Sequence, residues 1–185
     1  MKEIRRLSRE VLYQGRVIDL LVDQVEYPSG RRGVREIAKH PGGGVTVPLL
    51  DDGRVLLVKQ LRYPFDSHIV ELPAGKLTPG EDPAEAAARE LAEETGYHAG
   101  VLEHLATIYT SPGICDEQLF IYLARGLTPL PEGARREEGE LTMTVLAVPF
   151  AEAVELAVRG ELRDAKTVAG LLLADRKLHG DPTHH

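Results

Sequence analysis

The stretch from Gly75 to Tyr97, GKLTPGEDPAEAAARELAEETGY, constrains this chain most, because it dictates both a capped helix and what the helix carries. Asp82 is a side-chain acceptor suited to the N-cap, Pro83 fits the first helical position, and Glu85 follows the cap by three in a capping-box relation. Gly96 is the expected left-handed terminator. The pattern predicts a helix over Pro83 to Thr95. Ala84, Ala87, Ala88, Leu91 and Thr95 recur at three and four, forming a face that packs closely on a sheet. On the opposite side Glu90, Glu93 and Glu94 project from neighbouring positions, where like charges repel. Arg89 can offset part of this through Glu85, Glu93, or Glu81 in the preceding loop. A hard divalent cation with oxygen ligands would neutralise the rest, and Mg²⁺ typically bridges carboxylates to phosphates. A solvated acidic helix face accounts for the helix but not for Gly75, Glu81 and Arg89 at their offsets. Gly75, Glu81, Arg89, Glu90, Glu93, Glu94 and Gly96, at roughly one in fifteen each, would coincide by composition only ~10⁻⁸ of the time per starting point.

Read as G-x5-E-x7-R-E-U-x-E-E-x-G-U, with Tyr97 in the last apolar position, the stretch resembles the Nudix box of the diphosphate hydrolases. The resemblance implies an α/β fold, an α/β/α sandwich with a mixed sheet preceded by an N-terminal β-hairpin segment. It further implies a tight turn at Gly75 and a metal shell of the Ala74 carbonyl, Glu90, Glu93 and Glu94. Glu93 doubles as a water-orienting residue, and Glu81 and Arg89 hold loop to helix. The implied cofactor is Mg²⁺ or Mn²⁺, and the implied nucleophile is water, since the metal lowers its pKa and a carboxylate takes its proton.

The flanks resemble the ADP-ribose pyrophosphatase branch. Gln60-Leu61-Arg62 pairs with Glu71-Leu72-Pro73-Ala74-Gly75, and Ser111-Pro112-Gly113-Ile114-Cys115-Asp116-Glu117 matches that branch's S-P-G-x-x-D-E loop, with Pro112 sixteen residues after Gly96. The resemblance assigns Arg35 and Glu36 to the adenosine end, Arg62 to the diphosphate or terminal ribose, and Glu71, Ser111, Pro112 and Glu117 to the substrate. A guanidinium can engage phosphate through two hydrogen bonds. The branch also carries a water-activating glutamate on a late loop. Glu140 is the first candidate, because it adjoins the strand-like Leu141 to Val148, Glu138 is the second, and Glu137 is their neighbour. The expected reaction is Mg²⁺-dependent hydrolysis of ADP-ribose to AMP and ribose 5-phosphate. Other nucleotide sugars (GDP-mannose, ADP-glucose) are the alternative, with an inactive nucleotide-sugar sensor behind them.

The 185 residues, 43% hydrophobic and 28% charged, suffice for one globular domain with a core. A net charge of −7 argues against sequence-independent nucleic-acid binding. Cys115 is the single cysteine, so no internal disulfide forms, and no apolar run reaches the ~18 residues of a membrane span. The expectation is a cytoplasmic protein without nucleic-acid or membrane partners.

Val17 to Tyr27, a turn at Pro28-Ser29-Gly30, and Gly33 to Lys39 read as a hairpin, with His40-Pro41-Gly42-Gly43-Gly44 as a hinge. Val45 to Leu50, Arg54 to Leu61, Val101 to Tyr109, Gln118 to Arg125 and Leu141 to Val148 are further strands. Ala151 to Arg159 and Ala165 to Leu178 read as helices, the second capped by Asp164 and stopped by Gly180. The expected division is an N-terminal strand segment over 1–43, a hydrolase domain over 44–180 and a tail over 181–185. A two-stranded ribbon is marginal alone. The resemblance implies that this one is exchanged across a homodimer.

Overall fold

The structure, a computed structural model, describes residues 3–136 and 142–180. The chain divides into two compact units, Met1–Gly42 with Tyr109–Gln118, and Gly43–Ile108 with Leu119–His185. The predicted hairpin is present as β2 (Asp19–Glu26) and β3 (Arg32–Lys39), turning through Tyr27 to Gly30, where the Gly30 N–H bonds the Tyr27 carbonyl at 2.9 Å. A strand that sequence reasoning missed, β1 (Arg5–Gln14), pairs antiparallel with β2, so the ribbon is three-stranded. Its signal was hidden by two register shifts and by a charged first half with no alternation of period two. Arg9 anchors it, with Nε and Nη2 both 2.7 Å from the carboxylate of the buried Asp23 on β2. The 109–118 segment joins the same unit through a parallel bridge of Cys115 to Ala38.

The second unit is built around β4 (Gly43–Pro48), all six residues of which are buried. It pairs in parallel with β9 (Gln118–Pro129) and antiparallel with the short β7 (Ala74–Lys76), and β8 (Tyr97–Tyr109) completes that sheet in the order β7-β4-β9-β8. A second, antiparallel sheet runs β10-β5-β6, with β5 at Arg54–Arg62, β6 at Ser67–Glu71 and β10 at Thr144–Pro149. Three helices follow the sequence expectations within a residue or two at each end: α1 (Pro83–Thr95), α2 (Phe150–Val158) and α3 (Ala165–His179).

Alternation along β4 places helices on both of its faces. A side chain at Gly44 would strike the backbone of α1, whereas a side chain at Gly170 of α3 would meet Val47 at 3.2 Å. Residues 44 and 47 have opposite parity, so α1 and α3 lie on opposite sides, and the α/β/α expectation holds. Val45, Val47, Leu57, Leu72, Ile121, Leu123 and Leu171, each 1% exposed or less, form the core. Gly43 and Gly44 are therefore strand residues rather than the expected hinge.

Candidate active site

Two glycines facing each other across β4 and β7 decide how the acidic helix sits. Gly44 and Gly75 are register partners, and partners directly opposite in an antiparallel pair present to the same face. A Cβ on Gly44 would lie 2.5 Å from the Ala87 nitrogen, so its absence lets α1 rest on the strand. A Cβ on Gly75 would lie 1.9 Å from the Glu90 carboxyl carbon, so its absence gives that carboxylate its place. Gly75 was expected to make a tight turn. Instead it lies within β7 and is not among the positive-φ glycines; what it contributes is the space its side chain does not fill.

The helix is capped as its sequence predicts. Asp82 accepts the Ala84 N–H at 2.8 Å, and Gly96 closes the far end at φ 76°. Its packing face is turned from the expected one, since Ala86, Ala87, Leu91, Glu94 and Thr95 are buried while Ala84 and Ala88 are half-buried. Glu94 is thus not on the face opposite the sheet. It is 2% exposed and accepts the Ala74 N–H at 3.0 Å, tying helix to β7.

Arg89 is the hub of the remaining charges. Its Nε and Nη2 donate to Glu81 at 2.9 and 3.2 Å, and Nη2 also donates to the Lys76 carbonyl at 3.0 Å. Its Nη1 reaches Glu90 at 2.6 Å and Glu93 at 3.1 Å. One side of the guanidinium therefore holds the loop, and the other offsets the crowded helix carboxylates. Arg89, helped by the Thr78 N–H and hydroxyl, holds the Glu81 carboxyl down at about 2.

Past the helix, Arg136 donates to the Glu94 carbonyl from Nε at 3.0 Å and Nη2 at 2.9 Å, and to the Met143 carbonyl from Nη1 at 2.7 Å. This satisfies a last-turn carbonyl and places a cation at the negative end of the helix. Sequence reasoning missed it, because nothing local marks which arginine of a loop returns to a helix end. A cleft of about 200 Å³ opens beside Glu93, lined also by Arg89, Ala92, Leu130, Glu132 and Arg135.

Arg62 and Glu71 form a bidentate pair, Nε to Oε1 at 2.6 Å and Nη2 to Oε2 at 2.5 Å. The buried Glu71 also bonds Lys166 of α3, which lies 3.0 Å from Asp164. Burial pushes the Glu71 carboxyl up, but Arg62 and Lys166 outweigh it, and the group ends below the ordinary carboxylate range. Thr167 accepts the Leu72 N–H at 2.7 Å. Sequence reasoning missed Lys166 and Thr167, which lie 95 residues from their partners.

The other predicted substrate residues lie in the N-terminal unit. Arg35 and Glu36 are exposed on β3, with the Arg35 guanidinium 5.3 Å over the Tyr27 ring. Ser111 and Pro112 are exposed, and Glu117 is held by the Thr110 hydroxyl at 2.8 Å and by His40 at 3.2 Å. Glu137, Glu138 and Glu140 fall outside the described residues, as does Leu141, with which β10 was expected to begin.

Among the described residues, no three His, Cys, Asp or Glu side chains converge, as they stand, into a group arranged around a metal ion. Arg89 engages Glu90 and Glu93, and the Ala74 N–H engages Glu94. In donor chemistry the set fits a hard divalent cation. It offers carboxylate and carbonyl oxygens without thiolate or imidazole, and Gly75 leaves Glu90 the space to approach β7. No helix among the described residues is long and apolar enough to cross a membrane.

The family model of the NUDIX domain matches residues 40–171. An ADP-ribose pyrophosphatase of Bacillus subtilis (strain 168) is 43% identical over 165 residues, 89% of each chain. A methanol dehydrogenase activator of Bacillus methanolicus is 39% identical over 90% of this chain and 89% of the relative. A crystal structure of an ADP compounds hydrolase superposes with a TM-score of 0.84 at 23% identity, covering 97% of this chain and 96% of that one, a likeness of fold.

Proposed function

Because this chain belongs to the Nudix family, we propose that it hydrolyses the diphosphate of ADP-ribose, giving AMP and ribose 5-phosphate with Mg²⁺ as cofactor. The observation that carries the reading is the acidic helix laid across β4 and β7 through one side-chain-free position on each, Gly44 and Gly75, with Arg89 as its internal counter-ion. Its carboxylates lie at offsets that resemble the family's, and the Bacillus subtilis relative is named for this substrate.

The Ala74 carbonyl, Glu90 and Glu94 would hold the ion, with Glu93 as a further ligand or as the residue that orients the water. A bound divalent ion neutralises diphosphate charge and lowers the pKa of a coordinated water. Arg89, held to the loop by Nε and Nη2, would remain the fixed counter-ion of the helix, and Glu90 and Glu93, which its Nη1 engages, would hold the ion. Glu93, with 41% of its side chain exposed, is the box carboxylate open to solvent and suited to orient water. Arg62, steered by Glu71, contacts the diphosphate. Glu140 or Glu138 takes the water proton. In a homodimer, Arg35 and Glu36 of one copy serve the adenosine end bound by the other, and Ser111, Pro112 and Glu117 shape the loop beside it. The residues 1–43 are that exchanged segment and 44–180 the hydrolase domain, working in the cytoplasm.

The test is product analysis with ADP-ribose, ADP-glucose and GDP-mannose in Mg²⁺. AMP and ribose 5-phosphate should form fastest from ADP-ribose, and a chelator should stop the reaction. Faster release from GDP-mannose would move the substrate, and turnover that survives the chelator would remove the metal. Scattering that showed a fully active monomer would dispose of the exchanged segment.

A further inference from the structure

Lys166 stands where a helix least favours a cation. It is the second residue of α3, in the first turn, where exposed backbone N–H groups already carry positive charge. It is 8% exposed, and a buried ammonium is costly unless carboxylates surround it. Two do, Glu71 and Asp164. Glu71 in turn takes the Arg62 fork. The result is an alternating row of Arg62, Glu71, Lys166 and Asp164 whose charges cancel. Its most open end is Arg62, with 41% of the side chain exposed.

Stability does not demand such a row, since apolar side chains of similar volume often replace buried ion pairs without loss. The row does set the electrostatics of Arg62. Without Lys166 the other three charges sum to −1, Glu71 has Arg62 as its one close counter-ion, and an approaching anion meets a guanidinium already cancelled.

We propose that Lys166 is a positioning residue for Arg62. By sharing the Glu71 carboxylate, it leaves a rigidly held guanidinium that stays attractive to a diphosphate. Thr167 supports this from the same turn, accepting the Leu72 N–H and donating to Asp164 at 2.5 Å, so that α3 also fixes the segment carrying Glu71. The inference rests on the reading of Arg62 as a diphosphate contact.

Calorimetric titration with inorganic pyrophosphate tests it without depending on which nucleotide sugar is cleaved. Relative to wild type, K166M should bind about tenfold more weakly, the size of one lost charge-assisted hydrogen bond, and K166R should recover most of the loss. In an R62A background K166M should weaken binding by no more than about twofold, since the residue it acts through is gone. With ADP-ribose, K166M should raise KM while kcat stays within about threefold. Should K166M not fold, K166Q, which keeps a polar group beside Glu71 but no charge, is read in the same way, with the same weakening and the same non-additivity with R62A. Pyrophosphate binding unchanged in K166M, losses that multiply with R62A, or a wild-type chain that takes up no pyrophosphate would each overturn the proposal. Wild-type pyrophosphate binding without AMP release from ADP-ribose would instead count against the substrate and leave the role of Lys166 in place.

Discussion

Gly75→Ala should separate catalysis from folding more cleanly than any carboxylate substitution. The added Cβ would sit 1.9 Å from the Glu90 carboxyl carbon and 2.0 and 2.3 Å from its oxygens. Carbon atoms in contact prefer roughly 3.5–4.0 Å, so the carboxylate must retreat by about 1.5–2 Å. The retreat is cheap in backbone terms, because what moves is the far end of a flexible side chain, held by Arg89, and not backbone. Gly75 has no positive φ to strain, and alanine in place of glycine gains about 0.4–1 kcal/mol from the unfolded chain where the backbone accepts it. The thermal midpoint, read by circular dichroism, should therefore hold or rise slightly. Activity should not hold, since misplacing a reacting group by about 1 Å can cost ~10²-fold, or about 2.7 kcal/mol of barrier. The assay is AMP release from ADP-ribose across a Mg²⁺ titration, in which the variant should also need more metal. Wild-type activity in G75A would refute the reasoning that Glu90 must occupy that space, and a collapsed fold would refute the claim that only a side-chain end has to move.

Gly44→Ala makes the opposite case, because its Cβ would meet the backbone of α1 at 2.5 Å and force the helix off β4; a loss of about 1–3 kcal/mol in urea unfolding is expected, and an unchanged midpoint would count against the close packing. Glu93→Gln should lose about 10²-fold or more in turnover with its urea midpoint unchanged, whereas Glu94→Gln, at a buried position bonded to Ala74, should lose turnover and some stability together; full activity in either variant would contradict the site. The Glu81 carboxyl, held down at about 2 from 4.5, contributes stability that is fully present above about pH 4.5 and is lost as pH falls toward 2. Urea midpoints at pH 5, 4 and 3 should therefore fall less steeply in Glu81→Gln than in wild type, and parallel curves would show that the Arg89 pair does not set the acid limb.

What could be read from the chain alone was whatever depends on neighbours in sequence. The box helix is bounded by Asp82, Pro83 and Gly96 because a helix end must satisfy its orphan N–H and C=O groups locally, and those three residues do so at its two ends. The same logic returned α3 with Asp164 as its cap. The spacing of Glu90, Glu93 and Glu94 pointed to a divalent cation because helical offsets place side chains without reference to the rest of the fold, and together with Glu81 and Arg89 it carried the resemblance that implies diphosphate chemistry. Folding decided the rest, where partners are distant along the chain. Gly75 looked like a turn and is a space for Glu90, which only the pairing of β7 with β4 could show. Glu94 looked like a surface ligand and is buried, because the rotation of α1 is set by how low Ala87 sits on Gly44. Lys166 carries no mark of its role in the sequence. It becomes the link between two carboxylates only when α3 brings it against Glu71 of β6, since Coulomb coupling follows distance in space and a linear sequence carries no such distances.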